Sequence, residues 1–349
     1  MNWQNKKVLI TGHTGFKGGW LSMILKQKGA KVIGFALAPA TKPSLYESLD
    51  LGKKITSVFG DIRNAEEVKK VIKKYKPEIV FHLAAQPLVR KSYKDPIETY
   101  ETNVVGTANV LEAIRNSDSV KAVVCITTDK CYENKEWVWP YREDDQLGGH
   151  DPYSASKACA ELVVASYRNS FFNGKDSKVL LASTRAGNVI GGGDWSEDRL
   201  IPDVIRSVFE NESLEIRNPD SVRPWQHVLD PLFGYITLAE KLIDKGRDFA
   251  SAWNFGPDND EVVPVKDVLN YLNNSLVNKF KFKKSTGKQP HEAGLLLLDS
   301  SKAKKNLMWF PKLKIERAVK FTADWYSAFY NKSDMTKFTL NQINEYEGK

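Results

Sequence analysis

The sequence predicts an α/β protein, a Rossmann-type doubly wound parallel sheet followed by a smaller C-terminal lobe. Three features carry that expectation. Short apolar runs alternate through the first half with stretches of helical periodicity. Those runs are apolar throughout, as strands buried on both faces are, instead of alternating in polarity. The first of them, Val8-Leu9-Ile10, leads into a glycine cluster that opens a helical stretch.

Taken in order, the helical stretch covers 20–28 and a second strand covers 31–37. Val68, Val71 and Ile72 share one face of a helix at 65–75, and Pro77 introduces a strand at 79–83. A helix at 96–115, a strand at 122–127, a helix at 153–172 and a strand at 179–183 follow. The pattern changes after Arg185, where glycines cluster at 191–193 and Pro202, Pro219, Pro224 and Pro231 separate shorter elements. Helices are expected at 229–243, 265–277 and 316–329, and strands at 252–255 and 295–298, with Asp299-Ser300-Ser301-Lys302 capping a further helix. Residues 1–185 form the dinucleotide-binding domain in this reading, with 224–256 returning to it; 186–223 and 257–330 form the second lobe and 331–349 a C-terminal tail.

Composition narrows the function. The net charge is +8, but lysines alternate with acids, as in 66–76, and do not cluster, so a nucleic-acid surface is not expected. Excess positive charge still suits a small anion. Three cysteines without a CxxC pair suggest neither a disulfide framework nor zinc, and no metal site is expected among five scattered histidines. Neither a signal peptide nor an apolar stretch of membrane-spanning length is read, so a cytoplasmic protein without membrane attachment is the expectation.

Gly12-His13-Thr14-Gly15-Phe16-Lys17-Gly18 places glycines three apart between strand and helix. Such a turn lets backbone approach a pyrophosphate at the positive end of the helix. The spacing is GxxGxxG, not GxGxxG, and a ligand-free connector is the plainer alternative. The second strand ends Gly34-Phe35-Ala36-Leu37, without the acid that reads a ribose, so NAD and NADP are not separated there.

Tyr153 and Lys157 are four residues apart, on one face of a helix. An ammonium beside a phenol favours the phenolate, which makes Tyr153 a candidate base. Thr127-Thr128 ends an apolar strand, where a doubly wound sheet faces its ligand.

These features, with Asp61-Ile62-Arg63, His82-Leu83-Ala84-Ala85-Gln86 and Asn103-Val104-Val105-Gly106-Thr107, resemble the extended short-chain dehydrogenase/reductase family over nearly the whole chain. The resemblance implies that Tyr153 is the base, that Lys157 positions a nicotinamide ribose, and that Thr128 binds the sugar 4-oxygen. It implies a cofactor site of Gly12, Thr14, Gly15, Phe16, Lys17, Gly18, Asp61, Ile62, Leu83, Ala84, Ala85, Gln86, Asn103, Thr127, Tyr153 and Lys157. It also implies a homodimer, or a tetramer built from it.

Within the family, Thr128-Asp129-Lys130-Cys131-Tyr132 resembles nucleotide-sugar 4,6-dehydratases, and Asp-Lys resembles the subgroup acting on CDP-glucose. The stretches 185–195 and 223–228 resemble the same subgroup. The implied chemistry uses Asp129 as acid toward a departing 6-hydroxyl and Lys130, when neutral, as base at C5. That cycle is redox-neutral, which favours NAD. The bland alternative makes Asp129 and Lys130 an exposed ion pair. Arg90, Ser92, Thr128, Asn188, Arg199, Arg223 and His227 are the expected substrate contacts. A 4-epimerase, a dehydratase for another nucleotide, or a non-catalytic dinucleotide sensor would share much of this set.

Overall fold

The computed structural model describes residues 1–174, 177–210, 214–285 and 294–349. Seven strands form the central sheet: β1 (Lys7–Thr11), β2 (Lys31–Ala36), β3 (Thr56–Phe59), β4 (Ile79–His82), β5 (Ala122–Ile126), β6 (Leu180–Arg185) and β7 (Ala252–Asn254). Their spatial order is β7-β6-β5-β4-β1-β2-β3, and every pairing is parallel. The chain therefore winds one way from β1 to β3 and the other way from β4 to β7. Direction reverses between β1 and β4, which pair from Val8↔Ile79 to Thr11↔His82. A crevice opens at the carboxyl ends of strands at such a point.

Alternation along each strand sorts side chains into two cores. Val8, Ile10, Phe81, Val124 and Ala182 enter one; Leu9, Val80, Val123 and Leu181 enter the other. This explains why the strands read as unbroken apolar runs: both faces are covered. Helices α1 (Phe16–Gln27), α2 (Ala65–Tyr75), α3 (Gly106–Arg115) and α4 (Pro152–Tyr167) come from the first half. The second half adds α5 (Leu200–Glu210), α6 (Leu229–Lys245), α7 (Val265–Ser275), α8 (Ile315–Tyr330) and α9 (Met335–Glu347). The first core continues into α6, α8 and α9, so the lobes share one apolar interior. Trp20 and Trp325 lie in it with no exposed surface; burying a large apolar side chain contributes about 2–3 kcal/mol.

Four local features depart from the sequence expectation. The short strand β3 was not expected; it is a sheet edge, with Thr56 and Phe59 exposed. The stretch 96–115 is broken by a π turn at Glu101–Val105, and α4 ends in another at Arg168–Phe172. Residues 295–298 form no strand; Leu295 and Leu298 make only isolated bridges, to Val222 and Tyr141. The C-terminal segment folds as α9, capped by the Asp334 side chain accepting from Lys337 N at 3.0 Å, and Trp325 Nε1 donates to Thr339 Oγ1 at 2.9 Å. Among the described residues no helix is long and apolar enough to cross a membrane.

Candidate active site

A cleft of about 590 Å³ lies over the crevice between β1 and β4 and runs toward the second lobe. Its lining includes Gly12, Thr14, Gly15, Phe16, Lys17 and Gly18 at one end, with Asp61, Ile62, Leu83, Ala84 and Ala85 beside them. Thr127, Thr128, Asp129, Lys130, Tyr153 and Lys157 line the middle. Arg90, Asn188, Arg199 and Arg223 line the end facing the second lobe.

The glycines are there for space. Gly12 has φ of +79°, and a Cβ on it would sit 2.8 Å from Ala84 N; a Cβ on Gly18 would collide with the Gly12 carbonyl. Helix α1 starts at Phe16 with Gly15 as its N-cap and no side-chain cap, so its first amides are left for an anion. This cradle, shaped for close backbone approach beside a lined groove, fits a dinucleotide. Opposite it, β2 ends at Ala36 and is followed by the exposed Leu37, with no acid there.

In the middle of the cleft the Tyr153 phenol stands beside Thr128, and Thr128 Oγ1 donates to Asp129 Oδ1 at 2.9 Å. Asp151 caps α4 by accepting from Ser154 N at 3.0 Å, which fixes where Tyr153 enters the cleft. Asp129 is 1% exposed, and its Oδ2 has no hydrogen-bond partner among the described residues. Burial pushes its carboxyl above the ordinary range, against the fields of Lys130, Arg223 and Lys17 and the Thr128 bond. The Asp129 carboxyl is thus no exposed half of a surface ion pair. Gly187 packs so tightly behind it that a Cβ there would strike the carboxylate.

Charge in the cleft departs from the simple Tyr–Lys argument. Burial raises Tyr153 to about 12, and what opposes it is the Thr128 hydrogen bond and Arg199. Lys157 is brought down to about 8 by burial and held up by Glu161. Lys17 falls to about 7 through burial and the neighbouring Arg199, with Asp129, Lys157 and Asp194 also close. Lys17, expected only as part of the glycine turn, therefore joins the central charge cluster; only the fold reveals this. Lys130 is half-buried beside Asp129.

Arg199 donates to Asp194 Oδ2 at 2.7 Å, and Arg90 pairs with Asp198 at 3.3 Å. Arg223 Nη1 donates to the carbonyls of Val222 and Gly294 at 2.9 and 3.1 Å. Asn188 adopts φ of +32° at the rim of the cleft.

Four expected site residues stand behind the cleft instead of lining it. His227 has no exposed surface, lies edge-on to Trp20 and Phe321, and accepts from Leu229 N at 3.3 Å; burial lowers it to about 3. It is a core residue, not a phosphate donor. Ser92 Oγ accepts from Tyr153 N at 3.1 Å and so supports the start of α4. Gln86 and Asn103 bond to each other, Gln86 N donating to Asn103 Oδ1 at 2.8 Å, and Asn103 Nδ2 reaches Ser156 Oγ at 2.8 Å. They brace the loop after β4 against α4. His82 is likewise internal, between Thr11 Oγ1 at 2.8 Å and Thr107 Oγ1 at 3.0 Å.

CDP-glucose 4,6-dehydratase of Salmonella typhimurium is 49% identical over 99% of this chain and 97% of its own length. The structure of UDP-glucose-4-epimerase from Stenotrophomonas maltophila, with bound NAD and formylated UDP-arabinopyranose, superposes with a TM-score of 0.81 at 20% identity, over 94% of this chain and 100% of its own. The dTDP-glucose 4,6-dehydratase of Bacillus anthracis in complex with NAD gives a TM-score of 0.76 at 24% identity, over 94% of this chain and 98% of its own. Residues 9–322 match the family described as GDP-mannose 4,6 dehydratase. By that match and by its 49%-identical relative, the chain belongs to the GDP-mannose 4,6-dehydratase family, within the nucleotide-sugar epimerases and dehydratases.

Proposed function

We propose that this chain is an NAD-dependent 4,6-dehydratase that converts CDP-glucose to CDP-4-keto-6-deoxyglucose and water. The observation that carries the reading is the Thr128 hydroxyl bonded to the buried Asp129 carboxyl, with the Tyr153 phenol beside it in the same cleft. An epimerase needs the phenol but has no use for the acid. Identity of 49% with the Salmonella enzyme supports the cytidine-linked substrate.

Bound NAD supplies a reversible hydride acceptor. The glycine turn and the amides of α1 hold its pyrophosphate, Asp61 and Ile62 flank the adenine, and Lys157 holds the nicotinamide ribose. Thr128 binds the sugar 4-oxygen, and Tyr153 takes the 4-hydroxyl proton as C4 is oxidised. The 4-ketone acidifies the C5 hydrogen, which Lys130 removes. Asp129 gives its proton to the 6-hydroxyl, which leaves as water. Protonation of C5 and return of hydride to C6 complete a cycle with no net redox change. Arg90, Asn188, Arg199 and Arg223 meet the diphosphate and sugar, where planar guanidinium forks suit phosphate oxygens. The reading includes a cytoplasmic homodimer. Ile97, Val105, Leu162 and Phe171, 47–66% exposed along the helices at 96–115 and 152–172, are its proposed contact.

The test is a panel of CDP-, dTDP-, UDP- and GDP-glucose incubated with enzyme and NAD, read by the alkaline ultraviolet absorbance of a 4-keto product and by mass loss of one water. CDP-glucose is the expected substrate. A 4-epimer of unchanged mass, or dehydration of another nucleotide sugar in preference, overturns the reading.

A further inference from the structure

Behind the cleft, a buried carboxylate on α4 gathers groups from the end of β5 and from β6. Glu161 is 2% exposed on α4, one helical turn beyond Lys157. Its Oε1 accepts from Thr127 Oγ1 at 2.5 Å, and its Oε2 accepts from Ser183 Oγ at 2.7 Å and Arg185 Nη2 at 2.9 Å. Arg185, also buried, continues the network: its Nη1 donates to the Tyr132 hydroxyl at 2.7 Å, which donates to Asn254 Oδ1 at 2.7 Å. Thr127 and Tyr132 bracket Thr128, Asp129 and Lys130. The segment carrying the acid is therefore pinned at both ends to the helix carrying the phenol and the lysine, through one ion pair.

A buried ion pair is a poor stabilising device, since apolar residues of similar volume often do as well or better. Its use here lies in what it holds. We propose that Glu161 is a positioning residue for the reaction: it locks the 127–132 segment to α4 and supplies the negative charge behind Lys157. This rests on the Tyr–Lys–Asp reading of the site and adds to it a group that touches neither substrate nor cofactor. The other titratable groups around Lys157 are Cys125 on β5, Cys131 on the pinned segment, His82 on β4 and Lys17 at the start of α1. Arg185 and Arg168 flank Glu161. The thiols and His82 are held neutral by burial. Glu161 is thus the anion that counters both desolvation and the neighbouring Lys17.

The experiment compares wild type and Glu161→Gln as purified NAD-loaded enzyme, measuring kcat for CDP-glucose dehydration and NAD affinity by protein fluorescence from pH 6 to 9. The expected result is that loss of both kcat and NAD affinity on the alkaline side sets in at least about one pH unit lower in Glu161→Gln, because Lys157 loses its proton earlier. At pH 8 that is a loss of about fivefold or more, partly recovered at pH 6.5. A merely structural role lowers the rate equally at all pH values; alkaline limbs that coincide with wild type overturn the proposal. If Glu161→Gln does not fold, Glu161→Asp decides, since it keeps the charge and lengthens the hydrogen bonds. Its rate should fall severalfold with the limb in place, and a limb that moves despite the retained charge overturns the proposal. Wild type inactive on every nucleotide sugar would instead overturn the underlying reading of function.

Discussion

Replacing Asp129 by Asn separates the acid from everything else the residue does. The Asn oxygen can still accept from Thr128 Oγ1, which in wild type is 2.9 Å from Asp129 Oδ1. What changes is the other atom. Asp129 Oδ2 is buried without a hydrogen-bond partner among the described residues, and a protonated oxygen there needs an acceptor that the departing 6-hydroxyl supplies. An amide nitrogen fills the same space but cannot transfer its proton. A positioned general acid contributes about a hundred- to ten-thousandfold, and that is the expected fall in the rate of water loss. An unpaired buried amide nitrogen costs about 1–3 kcal/mol, so the variant melts somewhat lower yet stays folded. Oxidation at C4 does not use the acid. With CDP-glucose, the near-ultraviolet absorbance of reduced nicotinamide should therefore rise and persist, while the alkaline absorbance of the 4-keto-6-deoxy product falls. Product formation at the wild-type rate refutes the assignment of the acid. Loss of the near-ultraviolet signal together with product shows that Asp129 serves binding or oxidation instead.

Three further outcomes follow from the same geometry. Gly187→Ala drives a methyl into the Asp129 carboxylate and toward Pro224 Cγ, 3.0 Å away; water loss should drop by about tenfold or more while NAD affinity is kept, and unchanged turnover would show that the segment yields. His227→Asn, which keeps an acceptor for Leu229 N, should lower the melting temperature but leave KM for the nucleotide sugar within about twofold, as a buried core residue requires. Asp230, buried on α6, is raised to about 6 chiefly by burial, while Oδ1 accepts from Lys312 N at 2.7 Å and from the Tyr346 hydroxyl at 2.8 Å. With the folded pKa above the unfolded one, its favourable contribution is present below about pH 4 and is lost as pH rises to about 6, by at most about 3 kcal/mol. Asp230→Asn should therefore match wild type near pH 4 and melt higher near pH 7; equal melting temperatures at both pH values would contradict the assigned shift.

The sheet was legible because parallel strands covered on both faces leave unbroken apolar runs, and 65–75 reads as a helix to the residue. Strand β3 was not, because an edge strand with Thr56 exposed carries no such run. The π turns at Glu101–Val105 and Arg168–Phe172 escaped for a different reason: one extra residue in a turn leaves the apolar stripe almost unchanged. Of the residues that line the cleft, the glycine turn, Tyr153, Lys157 and Thr128 could be picked out in the sequence, since each belongs to a local pattern. His227 was not: an imidazole near the expected ligand end reads the same whether it faces Trp20 or a phosphate. Lys17 and Glu161 take their roles from neighbours more than 20 residues away in sequence, such as Asp129 and Ser183, which no local pattern records.

The height of the Tyr153 pKa changes how the first step must work. A phenol at about 12 is about 7 kcal/mol short of being a phenolate at neutral pH. Lys157 alone does not make up that difference, because burial has already brought it to about 8. Tyr153 therefore cannot wait in the cleft as a preformed base. Filling the cleft expels water, and the fields of Arg199, Lys17 and Lys157 then act across a lower dielectric, where each is worth several times more. Arg199 is tied to Asp194, so a diphosphate that draws on the same guanidinium would adjust the field at Tyr153 as it binds. In that field Tyr153 gives up its own proton to the departing water, and the phenolate oxygen then accepts the 4-hydroxyl proton as hydride leaves C4. A phenolate formed in the open cleft would be reprotonated by water; one formed only on closure is left to react with the sugar.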